Sequence, residues 1–185
     1  ISSVSAEVIT FNGLAGSDLS GNSTNGSSNP ENKYTVFNAA FDSTDFPNEI
    51  PGSYKFTKAK KSDGGGILNF LYINKVASAD SHYIKTDTDT LKFQGALSTI
   101  VFSKIDGGLF SLESLKFGDQ DNDGTAALLT VRGLDASGAV LVSESFDSLD
   151  QNAFADITFS NPLWSSLSSF ELLGTDKAVI DDITL

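Results

Sequence analysis

The sequence predicts an all-β protein: a two-layer antiparallel β-sandwich of the jelly-roll kind, with little helix. Three observations carry this. Apolar and polar residues alternate over many short stretches, each stretch is bounded by Gly, Asp, Asn or Ser, and no stretch keeps a convincing helical period. The 185 residues suit one domain with a sizeable core, so residues 1–185 are read as a single ligand-binding sandwich.

Taken in order, Val4 to Phe11 opens with a strand-like period that puts Glu7, Ile9 and Phe11 on one face. Residues 12–32 form a Gly/Ser/Asn tract with little to bury, which reads as a long solvated loop. Short strands are predicted at 34–37 and 53–57, and the apolar run at 67–74 reads as a strand buried on both sides. Further strands are predicted at 91–94, 98–104, 109–117, 126–134, 139–146, 155–160, 168–174 and 178–185. One helical turn is expected near Pro162 to Leu167, and the first and last strands are expected to lie side by side.

Composition narrows the function. The formal net charge is −12, with 24 acidic against 12 basic residues, which disfavours nucleic acid and anionic membrane surfaces as partners and favours cations. There is no cysteine, so disulfides, thiolate metal sites and cysteine nucleophiles are excluded. No window approaches the roughly 20 apolar residues of a membrane span, so no membrane insertion is expected. The abrupt apolar ends suggest a monomeric domain cut from a longer chain.

The stretch Asp119-Gln-Asp121-Asn122-Asp123-Gly124 is the strongest chemical signal. Carboxylates at alternating positions followed by a glycine direct several oxygens to one point, which is what a hard cation such as Ca²⁺ selects. The twelfth position holds Thr130 in place of the bidentate glutamate of an EF-hand, and the flanks favour strands, so this is a loop between strands. The competing reading is an Asp/Asn/Gly turn that binds nothing. A second feature concerns the chain ends. Parity along the last strand places Asp181 with Val179, Ile183 and Leu185, a costly position for a lone carboxylate, and a cation shared by Glu7 and Asp181 would remove both penalties. Strand ends in water would remove them as well.

Catalytic signals are sparse. His82 beside Tyr83 has the composition of a lyase acid/base pair, and the carboxylates leave room for a glycosidase pair, but no G-x-S-x-G or H-E-x-x-H occurs. Tyr83 and Trp164 are candidates for stacking on a ligand, while Trp164 in Pro162-Leu-Trp164 also suits an anchoring core aromatic.

Val8-Ile-Thr-Phe-Asn12, Ile50-Pro-Gly-Ser-Tyr54, Phe110-Ser-Leu-Glu-Ser-Leu115, Val131-Arg-Gly-Leu-Asp-Ala-Ser-Gly-Ala-Val140 and Val179-Ile-Asp-Asp-Ile-Thr-Leu185 together resemble bacterial extracellular jelly-roll domains. These are of the PEP-CTERM and carbohydrate-binding-module type. With the Asp-rich loop, the acidity and the lack of cysteine, the chain looks most like the calcium-dependent peptide-binding domain of RTX adhesins. The resemblance implies a non-catalytic, Ca²⁺-dependent adhesion module of a large secreted or cell-surface bacterial protein, of the kind used in biofilms. Its partner would be a peptide C-terminus on a target cell, with a glycan or, less directly, polysaccharide degradation as alternatives. The expected metal ligands are Asp119, Asp121, Asp123, Glu7 and Asp181, and the expected ligand contacts are Asp121, Asn122, Asp123, Tyr83 and Trp164.

Overall fold

The computed structural model describes residues 6–11, 23–26, 32–36, 41–42, 54–58, 71–76, 90–93, 98–119, 125–148, 154–175 and 178–185. Its strands are β1 (Val8–Ile9), β2 (Ser23–Gly26), β3 (Asn32–Val36), β4 (Phe41–Asp42), β5 (Tyr54–Lys58), β6 (Leu71–Val76) and β7 (Thr90–Phe93). The second half adds β8 (Ser98–Lys104), β9 (Ser114–Asp119), β10 (Leu128–Leu134), β11 (Val140–Asp147), β12 (Ala155–Thr158), β13 (Ser169–Gly174) and β14 (Ala178–Thr184). A single turn of 3₁₀ helix spans Pro162–Ser165, where the sequence predicts one; Pro162 opens it and the Asn161 side chain accepts from the Leu163 N–H at 3.0 Å.

The strands form two antiparallel sheets. One runs β12-β9-β14-β7-β6-β3-β2, with β1 also paired to β14, and the other runs β11-β10-β13-β8-β5-β4. From β7 to β10 each connection crosses between the sheets, and β12, β13 and β14 again alternate, so the chain wraps as a jelly roll. The first strand does pair with the last, Val8 opposite Thr184 and Ile9 opposite Ile183.

Inward-facing residues of both sheets meet in one apolar layer. Phe102 is at its centre, with ring centroids 4.7 Å from Phe170, 4.8 Å from Phe56 and 5.0 Å from Tyr54. Phe110 closes on Phe102 edge-on at 5.5 Å. Ile9, Leu115, Phe117, Leu129, Val131, Leu172 and Ile180 fill the rest.

Besides β4, which was not predicted, three elements depart from the sequence reading. Residues 109–113 do not extend β9: Phe110 makes an isolated bridge to Leu167 and the Leu112 N–H donates to the Trp164 carbonyl, which lets Phe110 and Leu112 both enter the core. The Gly/Ser/Asn tract contains β2, an outer strand paired to β3 with Asn25 opposite Tyr34. Backbone ladder bonds suffice for an outer strand, so composition alone misses it.

The third departure is in β14. Alternation predicts Val179, Asp181, Ile183 and Leu185 on the core face. In the structure Ala178, Ile180 and Ile183 belong to the core cluster, with Leu185 packed against it. The register with β9 shifts between Asp181 and Thr184, and Asp182 adopts a left-handed backbone with φ 46°. Asp is among the few side chains that tolerate this conformation. The irregularity resets the parity, so Asp181 faces the outside of the sheet, opposite Lys116 of β9.

Gly174, at the end of β13, lies against the ring of Phe93, and a Cβ built there would sit 2.4 Å from that ring. Gly174→Ala should therefore destabilise the domain by about 1–3 kcal/mol through overpacking, read as a lower midpoint in urea with an unchanged slope.

Candidate functional site

The Asp-rich loop leaves the end of β9 and returns at β10. Its first carboxylate, Asp119, is only 1% exposed. Asp119 Oδ2 accepts from the Ala127 N–H at 3.0 Å, and the Ser148 hydroxyl reaches the same oxygen at 3.5 Å. The Ala127 N–H also donates to Ser148 Oγ at 2.9 Å, and the Ser148 N–H donates to the Ala127 carbonyl at 3.0 Å. Asp119 thus ties together the ends of β9, β10 and β11 and fixes both ends of the loop between residues 119 and 127. A carboxylate at this depth requires such donors, since burial without them costs several kcal/mol. Asp121, Asn122 and Asp123 lie outside the described residues. Among the described residues no group of three His, Cys, Asp or Glu side chains converges on a point that would hold a metal.

Beside this clamp lies a groove of about 520 Å³. It is lined by Phe117, Leu128, Thr130, Ser145, Phe146, Asp147, Ala155 and Ile157, drawn from β9 and β12 of one sheet and β10 and β11 of the other. Leu128 follows Ala127, Asp147 precedes Ser148 and Phe117 stands two residues before Asp119, so the groove abuts the loop base. The hydroxyls of Thr130 and Ser145 pair at 2.9 Å. A smaller cleft of about 300 Å³ lies at the other end of β9 and β12, around Glu113, Thr158, Ser160 and Asn161.

The structure does not bring Glu7 and Asp181 together. Glu7 sits at the core-side rim of β1, exchanges both backbone hydrogen bonds with Leu185, and accepts a hydrogen bond from the Tyr54 phenol. Burial, then the Glu7 hydrogen bond and charge, and lastly the charge of Asp106 push the Tyr54 phenol well above its ordinary range. Asp181 is on the outer face, 3% exposed, where its Oδ1 accepts from the Asp182 N–H at 2.9 Å. The described partners of the two carboxylates differ: the Tyr54 phenol at Glu7 and the Asp182 N–H at Asp181. Lys116 Nζ lies 2.6 Å from Asp182 Oδ2 and also feels the charges of Asp156 and Asp181.

Trp164 is buried beneath the smaller cleft, which it helps to line. It is 1% exposed, its Nε1–H donates to Glu144 Oε1 at 2.6 Å, and its ring centroid lies 4.6 Å from that of Phe159. The buried ring is a core anchor with a satisfied donor, the alternative that the sequence also allowed. Tyr83 and its neighbour His82 lie outside the described residues. Sequence reasoning missed the groove, because its walls come from four strands spanning residues 117 to 157.

No protein-family model matches the chain, and no curated protein matches it. Among solved structures, a DUF4465 family protein from Bacteroides caccae is 12% identical with a TM-score of 0.49, covering 97% of each chain. The lectin-binding domain of lectinolysin, solved with Lewis b, is 12% identical at a TM-score of 0.36, covering 51% of this chain and 70% of that one. A family 11 carbohydrate-binding module from Clostridium thermocellum, solved with a mixed-linked tetrasaccharide, is 10% identical at a TM-score of 0.32, covering 91% and 96%. The sandwich assignment rests on the strand pairing itself, and function is argued from the site.

Two outcomes test this site. Asp119→Ala removes the acceptor at the loop base and should lower stability by about 1–3 kcal/mol, with Asp119→Asn milder because an amide oxygen can still accept from Ala127; thermal melts of the three proteins decide. The Lys116 ammonium is held above its ordinary 10.5 chiefly by the hydrogen bond and charge of Asp182. A raised pKa means that its contribution is full below the ordinary value and is lost as pH rises through the raised one. Both partners are partly exposed, so the gap between the parent and Lys116→Met should be under about 1 kcal/mol at neutral pH and should close as the pH rises through the raised pKa of Lys116.

Proposed function

We propose that the chain is a non-catalytic ligand-binding module of a bacterial surface protein, in which the Asp119–Gly124 loop takes Ca²⁺ and the ion receives the free C-terminal carboxylate of a peptide. One observation carries the reading. The run of carboxylates starts from Asp119, a buried, hydrogen-bonded carboxylate fixed beside an open groove. Bound Ca²⁺ would supply the positive charge without which a domain of net charge −12 repels a carboxylate. Asp119 fits as the anchoring member of the set, Asp121 and Asp123 as direct ligands, and Asn122 as a contact to the bound peptide. The resemblance to adhesin domains supports the peptide end as ligand.

A glycan is the second reading, favoured by the paired Thr130 and Ser145 hydroxyls beside half-buried Phe146 and exposed Asp147 in the groove. Vicinal sugar hydroxyls suit both a calcium ion and such a rim.

Titration calorimetry with calcium, and melts with and without EDTA, test the metal. At about 100-fold excess over the dissociation constant, calcium should add roughly 2.7 kcal/mol to stability, and Asp121→Ala should remove most of that gain while leaving the fold intact. Unchanged melting in EDTA together with no calorimetric heat rejects the metal site. Amidating a bound peptide's C-terminus should abolish capture if the carboxylate is read, whereas capture of a glycan in its place selects the second reading.

A further inference from the structure

The groove beside the calcium loop has a chemistry of its own. Leu128, 51% exposed, and half-buried Phe146 give it an accessible apolar wall over the buried Phe117 and Ile157, and Asp147 is the charged group among its described lining residues. It opens between β11 and β12, which are the outermost described strands of their sheets at this side of the sandwich. An outer strand offers backbone donors and acceptors to an extended chain laid beside it, and β11 spans eight residues without proline. A second copy of this chain is a poor occupant, because each copy carries a net charge of −12.

We infer that this groove binds an extended, lysine- or arginine-bearing peptide segment, with apolar side chains against Leu128 and Phe146 and a cationic side chain at Asp147. The inference rests on the peptide reading of the module and extends it: the loop takes the end of the ligand, and the groove selects the residues upstream. Charge complementarity decides the occupant, since both the groove's Asp147 and the whole surface favour a cation. Exposed Asp147 also attracts without a desolvated pair having to form, so it contributes to selection more than to raw affinity.

The test is fluorescence anisotropy with labelled hexapeptides that alternate valine with lysine, glutamate or serine, each as free acid and as amide. Each peptide is titrated with the parent chain, Asp147→Lys and Ala155→Trp, in calcium and in EDTA. The lysine series should bind about tenfold tighter than the glutamate series, and Asp147→Lys should abolish or reverse that preference. Ala155→Trp, which fills the groove from β12, should weaken the lysine series by a similar factor; its melting temperature verifies folding, and Asp147→Lys carries the test if it does not fold. Equal affinity for all three series, or a charge preference that survives Asp147→Lys, overturns the proposal. The two readings fail separately. Lysine selectivity that persists in EDTA and after amidation keeps the groove and rejects the calcium loop, whereas calcium-dependent capture indifferent to both variants keeps the loop and rejects the groove. Concentration-dependent dimerisation in sedimentation, lost in Ala155→Trp, would make a second copy the occupant and overturn the proposal as well.

Discussion

The last strand of the chain holds the larger sheet together. β14 lies between β9 on one side and, on the other, first β7 and then β1. In the second sheet β13 holds the matching place between β10 and β8. Both central ladders therefore pair strands far apart in sequence, and the core layer between them cannot close until the C-terminal segment has docked. Such non-local closure carries a large loop-entropy cost before it is rewarded. With no disulfide possible, the compensation comes from burial of the aromatic layer around Phe102 and from the ladders.

That constraint explains where polar groups are tolerated. Asp119 with Ala127 and Ser148, Trp164 with Glu144, and Tyr54 with Glu7 all lie where strands leave the apolar layer. In each, a group that would be costly to bury alone meets a partner from another strand. The same holds on the outer face of the larger sheet, where Asp181 and Asp182 meet Lys116. At the β9 end this bonding gives the Asp-rich loop a fixed base, and the two sheets open there into a groove. A stiff scaffold carrying a loop beside a cleft is the usual way in which a sandwich acquires a binding function. Asp119 is the residue through which the fold holds the base of that loop.

The local rules reached far along this chain. Alternation and turn residues placed β5, β8, β10, β11 and β13 within a residue or two, because in them one face is core and the period of two is visible; β14 was bounded as well, but its parity was not legible. The helical turn expected near Pro162 to Leu167 is the 3₁₀ turn Pro162–Ser165, while its Asn161 cap is seen only in the structure. Asp119 was legible as the start of a special loop from spacing alone. Its burial was not, because the donors that make burial tolerable come from Ala127 and Ser148, which the sequence does not reveal as neighbours.

What the sequence by itself determined is most of the strands of the second half of the chain, the acidity that favours cationic partners, and the run of carboxylates after β9. Only the tertiary structure decided which face Asp181 occupies, that Trp164 is a core anchor, and that β9, β10, β11 and β12 enclose a groove. The physical reason is one of range. Side-chain parity is a property of a single regular strand, and one left-handed residue at Asp182 resets it. Burial of a charge or an indole depends on a partner supplied by another strand, such as Lys116 for Asp182 or Glu144 for Trp164, and that pairing is settled only when the two sheets close.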